Sequence, residues 1–322
     1  MRRSWMVLAT LLTSMVASVM PSSGAEGLRV TRIGVLNPQT GSKSLEEGLR
    51  EGLKQLGYVE GKNIAIEWRR GAGSSEQMRS LAAELIQAGV DIVVSMGTPA
   101  TQAALDATSK PIVFFVGDPL GSHFAKSLAR PGGNATGVSV VYPELITKHL
   151  ELLHELVPSA RRIIFLTNLS NPGPGREALT EAAGRLGLEL VTLSASDAAE
   201  LNEALSRISR KLGDAVLVSG DLFLLANRYK IAKAVGHARL PAMFPFRQYH
   251  EAGVLMSYGP DYAVAMSQLA SYIDRIVKGG SPAELPIEQV SKYELVVNVR
   301  LARELHISIP QSIEARADEL IK

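Results

Sequence analysis

Short apolar runs alternate along the chain with longer segments in which apolar residues recur every three or four positions. Four leucines between Leu45 and Leu56 follow that spacing, which predicts an amphipathic helix, and Gly57 ends it. The same pattern predicts further helices after Ser74 and from Thr98. The intervening apolar runs predict strands over 32–36, 64–68, 90–94 and 111–116. Strands and helices that alternate with short turns indicate a doubly wound parallel sheet.

A second series of the same kind begins near Tyr142. Its pattern predicts helices over 143–156, 176–186, 198–212 and 222–235, and strands over 162–167, 188–193, 215–219 and 241–244. A further helix over 262–277 and a strand over 294–299 follow. We therefore predict the α/β class, with two doubly wound parallel-sheet lobes in sequence. The residues between them, Val140-Val141-Tyr142, are apolar, which favours a tight hinge over a flexible tether.

The amino-terminal residues have the pattern of a secretory signal peptide. Arg2 and Arg3 precede an apolar run over 5–20, and the small residues that follow favour cleavage after Ala25. The run is short for a membrane span and no stop-transfer segment follows it. A membrane anchor or a buried core helix is the alternative. The prediction is a signal peptide over 1–25 and a mature protein outside the cytoplasm.

Composition excludes several classes of function. The chain has no cysteine, which rules out disulfides, thiol catalysis, thiolate metal sites and anchoring through a lipidated cysteine. The formal net charge is only +2 and no basic block interleaved with aromatic residues occurs, so we expect no nucleic-acid partner. Stability must come from burial, and 322 residues are enough for two domains with sizeable cores.

The search for catalytic motifs finds little. The sequence contains no G-x-S-x-G turn, no H-E-x-x-H pair and no G-x-x-x-x-G-K-[ST] loop. The six histidines are scattered, and His149 and His154 lie on different faces of one predicted helix. We therefore expect no enzymatic activity, no metal site and no cofactor.

Candidate binding residues follow from the topology, because ligands of open parallel sheets lie beyond the carboxyl ends of the strands. In the first lobe that rule selects Asn37, Ser95, Thr98, Ala100 and Asp118. Thr98 is a good N-cap with Pro99 as first helical residue, and the free N–H groups there suit a carboxylate or phosphate. Alternatively, Thr98 only caps its own helix.

In the second lobe the rule selects Ser219, Asp221 and Phe246. Asp118 and Asp221 each end an apolar strand, one in each lobe, and together they would hold an ammonium group. A turn aspartate that caps the following segment is the alternative for either residue. An aromatic-walled pocket is predicted from residues that include Phe246 and Tyr258; core filling is the alternative for such residues, and we favour it for Phe244 and Tyr229.

Longer stretches resemble the periplasmic solute-binding proteins of ABC transporters, in the type I class and in the family that includes tryptophan- and tyrosine-binding members. The similarity runs from about Arg32 to Lys322. It is carried by residues 48–64, by Gly97-Thr98-Pro99-Ala100 and Gly117-Asp118-Pro119, and by residues 127–134, 253–260 and 309–319. Tryptophan-type relatives carry T-D-N where this chain has Ser219-Gly220-Asp221-Leu222, a departure that argues against an aromatic amino acid as ligand.

The resemblance implies two lobes joined by three hinge segments, with the ligand in the cleft between them. Lobe 1 would comprise 26–141 and 260–287, and lobe 2 would comprise 142–259 and 288–322. In amino-acid-binding relatives the Gly-Thr-Pro-Ala turn cradles the ligand carboxylate and acids approach its ammonium group. Carried onto this chain, those roles fall to Thr98, Ala100, Asp118 and Asp221.

The expected function is therefore that of a periplasmic, monomeric binding protein. It would bind a small amino-acid-like or carboxylate ligand and deliver it to an ABC permease in the inner membrane. Two alternatives remain open: a ligand-sensing subunit that feeds a membrane receptor, and a secreted enzyme on the same frame.

Overall fold

The computed structural model describes residues 30–38, 43–71, 75–169 and 175–322. The predicted signal peptide over 1–25 lies outside the described residues. The strands are β1 (Thr31–Asn37), β2 (Ile64–Arg70), β3 (Ile92–Met96), β4 (Ile112–Val116), β5 (Ala135–Ser139), β6 (Arg162–Thr167), β7 (Glu189–Ser194), β8 (Ala215–Val218), β9 (Ala242–Phe244), β10 (Met256–Pro260), β11 (Glu288–Gln289), β12 (Tyr293–Asn298) and β13 (Glu319–Ile321).

The helices connect these strands in the alternating order that the sequence predicts. They are α1 (Lys43–Gln55), α2 (Ser75–Gln87), α3 (Thr98–Ala107), α4 (Tyr142–Leu156), α5 (Arg176–Arg185), α6 (Ala198–Arg207), α7 (Leu222–Ala226), α8 (Arg228–Ala238), α9 (Tyr262–Val277), α10 (Val299–Glu304) and α11 (Gln311–Arg316). A 3-10 helix spans Arg247–Ala252. No helix in the described part of the chain combines the length and apolar character needed to cross a bilayer.

The strands form two sheets, one in each lobe. In lobe 1 the order is β11-β5-β4-β3-β1-β2, and every pairing is parallel. In lobe 2 the order is β13-β12-β10-β9-β8-β6-β7, parallel except for the antiparallel pair of β10 and β12. The predicted pair of doubly wound lobes is present, with one antiparallel pairing that the sequence pattern did not indicate.

The chain crosses between the lobes three times, at positions slightly different from the predicted boundaries. Pro260 pairs with Tyr293 in the lobe 2 sheet, so the second crossing follows Pro260 and not residue 259. Glu288 pairs with Val138 of β5, so the third crossing follows β11 and not residue 287. Both boundaries lie later than predicted for the same reason: the last strand before each crossing pairs within its sheet beyond the predicted boundary.

Several elements differ from the sequence-based expectations. β5 was missed because its sequence, Ala-Thr-Gly-Val-Ser, mixes small and polar residues although every position is buried. The helix expected over 198–212 ends at Arg207, because Ile208 adopts an extended conformation. The helix expected over 222–235 breaks at Asn227, whose side-chain Nδ2 donates to the carbonyl of Phe223 at 3.0 Å.

Helix α9 packs on α1 and therefore belongs to lobe 1, although it lies more than 200 residues later in the chain. The two helices approach closely at Gly52, where an added Cβ would lie 2.9 Å from the Cβ of Ala270. Leu49 and Leu53 of α1 and Leu269 and Ile273 of α9 are fully buried. This contact ties the two sequence segments of lobe 1 into one core.

The three crossings lie side by side and hydrogen-bond to one another. The hydroxyl of Tyr293 donates to the carbonyl of Val140 at 2.8 Å, and Lys292 Nζ lies 2.9 Å from Asp261 Oδ2. Val141 has the left-handed values φ 47° and ψ 60°, which are uncommon for a β-branched residue. The hinge is thus a compact structure, consistent with the apolar boundary predicted near residues 140–142.

Candidate functional site

A cavity lies where the carboxyl ends of both sheets face each other, between the two lobes. It encloses about 860 Å³ of space not filled by atoms, part of which is open to solvent. Five aromatic side chains line this main cavity, namely Phe115, Tyr142, Phe223, Phe246 and Tyr262, and its polar side chains are those of Thr98, Asn168 and Asp221.

The lobe 1 wall is built around the start of α3. Gly97, with φ 80°, is the N-cap of this helix, so the prediction that Thr98 is the cap was one residue late. A positive φ favours glycine, which explains why the cap falls there. Thr98 is the first helical residue and lines the main cavity together with Pro99, which has no N–H. A Cβ added to Gly97 would lie 3.1 Å from Leu222 Cδ1 of lobe 2, so the lobes approach closely here.

Asp221 occupies the lobe 2 wall and is the single charged side chain among the described residues that line the main cavity. Its side chain is 6% exposed. Oδ1 accepts a hydrogen bond from the N–H of Leu224 at 3.0 Å, and Asn168 Nδ2 lies 3.4 Å from Oδ2. Asp221 is therefore the N-cap of α7, as one of the two alternatives predicted, and its carboxylate also lies at the surface of the main cavity.

Asp118 lies differently, although its sequence context resembles that of Asp221. Its Oδ1 accepts hydrogen bonds from the N–H groups of Leu120 at 3.0 Å and Gly121 at 2.9 Å. It does not line the main cavity. Asp118 thus caps the turn that follows β4, as the alternative for an Asp-Pro step anticipated, and of the two aspartates only Asp221 lines the main cavity.

Four other predicted site residues lie away from the main cavity. Asn37, Ser95 and Ala100 are fully buried in lobe 1, where Ser95 Oγ lies 2.9 Å from Thr101 Oγ1. Tyr258 stacks on Tyr293 at 5.7 Å between ring centroids. These residues pack the lobes and the hinge, and none of their side chains lines the main cavity. Thr98, Asp221 and Phe246 are the predicted residues that do.

Ser219 lies just outside the main cavity. It is nearly buried and lines a smaller cavity next to it, and it is not among the residues that line the main cavity.

Tyr142 is the main site residue that sequence reasoning missed, since it was assigned only to the lobe boundary. Its backbone N–H donates to the carbonyl of Gly117 at 3.0 Å, and its hydroxyl oxygen accepts from the N–H of Gly220 at 2.5 Å. Burial and the nearby carboxylate of Asp221 raise its pKa well above the usual range. The sign in the sequence was that an aromatic residue directly follows Val140 and Val141 at the predicted boundary between the lobes.

Phe115 and Tyr262 were also missed as cavity residues. The ring of Tyr262 lies 5.7 Å from Phe115 and 5.8 Å from Phe246, measured between centroids. Tyr262 opens α9 directly after the second crossing, so it brings an aromatic group from the hinge to the lobe 1 side of the cavity. Together the three rings form an apolar wall that suits a flat, hydrophobic part of a ligand.

Comparison with known proteins shows the family. The sequence profile described as ABC transporter substrate binding protein matches residues 34–321. The chain belongs to this family.

Solved structures of similar proteins share the whole fold. One is a conserved domain protein from Vibrio cholerae, with a TM-score of 0.85 and 30% identity, covering 91% of this chain and 100% of the other. Another is an ABC domain in complex with L-Trp from Streptococcus pneumonia, with a TM-score of 0.84 and 27% identity over the same shares. The type I periplasmic-binding architecture predicted from the sequence is confirmed.

A relative with a named binding function is also similar in sequence. The Tyrosine-binding protein of Clostridioides difficile is 27% identical over 257 residues, which cover 79% of this chain and 74% of the relative. This relative and the Streptococcus domain are thus a protein named for tyrosine binding and a domain solved with L-Trp. Within the described residues, no group of three or more His, Asp or Glu side chains is placed to hold a metal ion.

We expect Gly220→Ala to damage the site through packing alone. Gly220 does not have a positive φ, but an added Cβ would lie 2.5 Å from Tyr142 Cε2, so the ring must move. Overpacking of this kind costs about 1–3 kcal/mol. Thermal unfolding and calorimetry should show a lower Tm and at least tenfold weaker ligand binding. Gly236→Ala in α8, where an added Cβ meets nothing within 4 Å, is the control and should leave both unchanged or raise Tm. Equal behaviour of the two variants would contradict the packing described for Tyr142.

Proposed function

We propose that this protein binds an amino acid with an aromatic side chain in the main cavity and delivers it to an ABC permease. The observation that carries the proposal is the position of Asp221, a nearly buried carboxylate at an aromatic-walled cavity between two lobes, where the other described lining residues carry no charge. A ligand ammonium group would form a charge-assisted hydrogen bond to this carboxylate. The remaining walls favour an apolar ring.

The aromatic part of the proposal goes against the sequence-based expectation drawn from the Ser219-Gly220-Asp221-Leu222 run. The rings of Phe115 and Phe246 each lie within 6 Å of the ring of Tyr262, measured between centroids. Relatives named for tyrosine and solved with L-Trp also support an aromatic ligand. The run at 219–222 differs from the T-D-N of tryptophan-type relatives, but it still contains an acidic residue, Asp221. The difference therefore changes the turn and keeps the negative charge.

The carboxylate of the ligand would lie at the start of α3. The hydroxyl of Thr98 and the first N–H groups of the helix are the polar groups available on the lobe 1 side. Backbone N–H groups and the helix dipole favour a negative charge at such a position. Ammonium on lobe 2 and carboxylate on lobe 1 would then join the lobes through the ligand.

Binding of this kind favours the closed arrangement because the ligand contacts both lobes only when the cleft is shut. The shift is limited to the extra contact free energy that the closed state provides. A permease would recognise the closed pair of lobe surfaces. With the predicted signal peptide over 1–25, the protein would act as a monomer in the periplasm, without nucleic-acid partners, cofactor or enzymatic activity.

Calorimetry with matched ligands tests the proposal. We expect L-tyrosine or L-tryptophan to bind, and indole-3-propionate, which lacks the ammonium group, to bind at least 100-fold more weakly than L-tryptophan. Tryptamine lacks the carboxylate, so the loss of affinity from L-tryptophan to tryptamine measures how much the start of α3 contributes to binding. If only sugars or nucleosides bind, the proposal is wrong. Ligand recovered chemically altered after incubation would indicate an enzyme, and binding to a receptor ectodomain without stimulation of a permease would indicate a sensor.

A further inference from the structure

Beside the main cavity lies a second, smaller cavity in lobe 2. The two share four lining residues: Tyr142, Asn168, Gly220 and Asp221. These residues form the partition between the cavities. Gly220 has no side chain, and Asn168 and Asp221 are short polar groups, so the phenol ring of Tyr142 is the bulky part of the partition.

The ring of Tyr142 is fixed in place by both lobes. Its oxygen accepts the hydrogen bond from Gly220 N–H, and its backbone N–H donates to the carbonyl of Gly117 in lobe 1. A Cβ added to Gly117 would lie 3.2 Å from the Cβ of Tyr142. A Cβ added to Gly220 would lie 2.5 Å from its Cε2. A ring packed against bare backbone on two sides has few alternative rotamers, so it acts as a rigid wall.

The smaller cavity, which we name the side cavity, is more polar than the main one. It is lined by Thr167, Arg176 and Ser219 as well as by the partition residues, with Ile146 and Phe165 on its apolar side. Asp221 faces both cavities. A substituent on a nitrogen bound to Asp221 therefore has the side cavity as its nearest free space, with Tyr142 in between.

We propose that Tyr142 is the specificity-determining residue at the ammonium end of the ligand, where it admits a primary ammonium group and excludes N-substituted amino acids. This inference rests on the proposed function, because it assumes that the ligand ammonium binds Asp221. The side cavity is then a subsite that the wild-type ring keeps closed. Shortening residue 142 joins the two cavities and opens that subsite to an N-alkyl group.

The test compares L-tryptophan with N-methyl-L-tryptophan by calorimetry, since methylation of the nitrogen keeps its positive charge. Wild type should bind the methylated ligand at least tenfold more weakly. Tyr142→Ala should bring the ratio of the two Kd values close to one, whereas Tyr142→Phe, which keeps the ring, should retain the wild-type ratio. Phe246→Leu, which alters the main cavity but not the side cavity, should weaken both ligands alike and leave the ratio unchanged.

Each outcome decides a separate point. If wild type binds no aromatic amino acid, the proposed function fails and this inference falls with it. If wild type binds both ligands equally well, or if folded Tyr142→Ala keeps the wild-type ratio, the inference is overturned while the proposed function stands. Circular dichroism establishes folding, and Tyr142→Leu replaces the alanine variant where the latter does not fold.

Discussion

Asp221→Asn is expected to weaken amino-acid binding about 100-fold while leaving the protein folded. The carboxylate is nearly buried at the wall of the main cavity, and a hydrogen bond between charged groups in such a place contributes about 1.5–3 kcal/mol. Each 1.4 kcal/mol corresponds to a tenfold change in affinity. Asparagine keeps an oxygen for the N–H of Leu224, so the cap of α7 persists.

The control for this variant is another capping aspartate that lies away from the cavity. Asp197 caps α6, with Oδ1 accepting from Ala199 at 2.8 Å and Glu200 at 2.9 Å, and it is exposed. Asp197→Asn should leave the Kd measured by calorimetry unchanged. Asp221→Ala should lose binding as Asp221→Asn does and, in addition, about 1 kcal/mol of stability. Full affinity in Asp221→Asn would show that Asp221 is only a structural cap.

His149→Gln is expected to remove a large part of the acid sensitivity of the fold. His149 is fully buried in α4, and burial lowers its pKa from about 6.5 to about 4, although its Nε2 lies 2.6 Å from the carbonyl of Tyr258. Between those two pH values the unfolded chain binds a proton at this residue and the native protein does not. Its contribution to stability is complete above about pH 6.5 and falls by about 3 kcal/mol as the pH drops to 4.

Denaturant unfolding at several pH values measures this effect. Glutamine does not titrate and can donate to the same carbonyl, so the slope of unfolding free energy against pH should decrease by up to about 1.4 kcal/mol per unit between pH 6 and 4. A slope from His250 should remain, since burial also lowers its pKa to about 4. His237→Gln, in an exposed position of α8, should leave the wild-type slope. An unchanged slope in His149→Gln would contradict the burial described.

Periodicity was sufficient to predict most helices and buried strands, because apolar spacing reports which face of each element is covered. It failed where burial comes without apolar residues, as in β5, whose Thr136 and Ser139 are buried and hydrogen-bonded to the main chain. It also failed at Asn227, where a side chain competes for backbone hydrogen bonds and divides one helix into two. Such local competition is not visible in the spacing of apolar positions.

The candidate site could be located from topology but not resolved into individual roles. Asp118 and Asp221 both follow an apolar strand and both accept a hydrogen bond from the N–H three residues later, yet only Asp221 lines the main cavity. The position of Tyr142 depends on two glycines that lie 25 and 78 residues from it in the chain. No local pattern encodes a ring placed by such distant partners.

The packing of α9 on α1 restricts which recombinants between homologous genes can fold. A single recombination event between two homologous genes, anywhere between these helices, would place α9 of one parent against α1 of the other. A Cβ added at Gly52 would lie 2.9 Å from the Cβ of Ala270, so a hybrid whose α1 carries a larger residue at that position would not pack against this α9. We therefore expect exchanges that keep α1 and α9 from the same parent to preserve the fold of the first lobe.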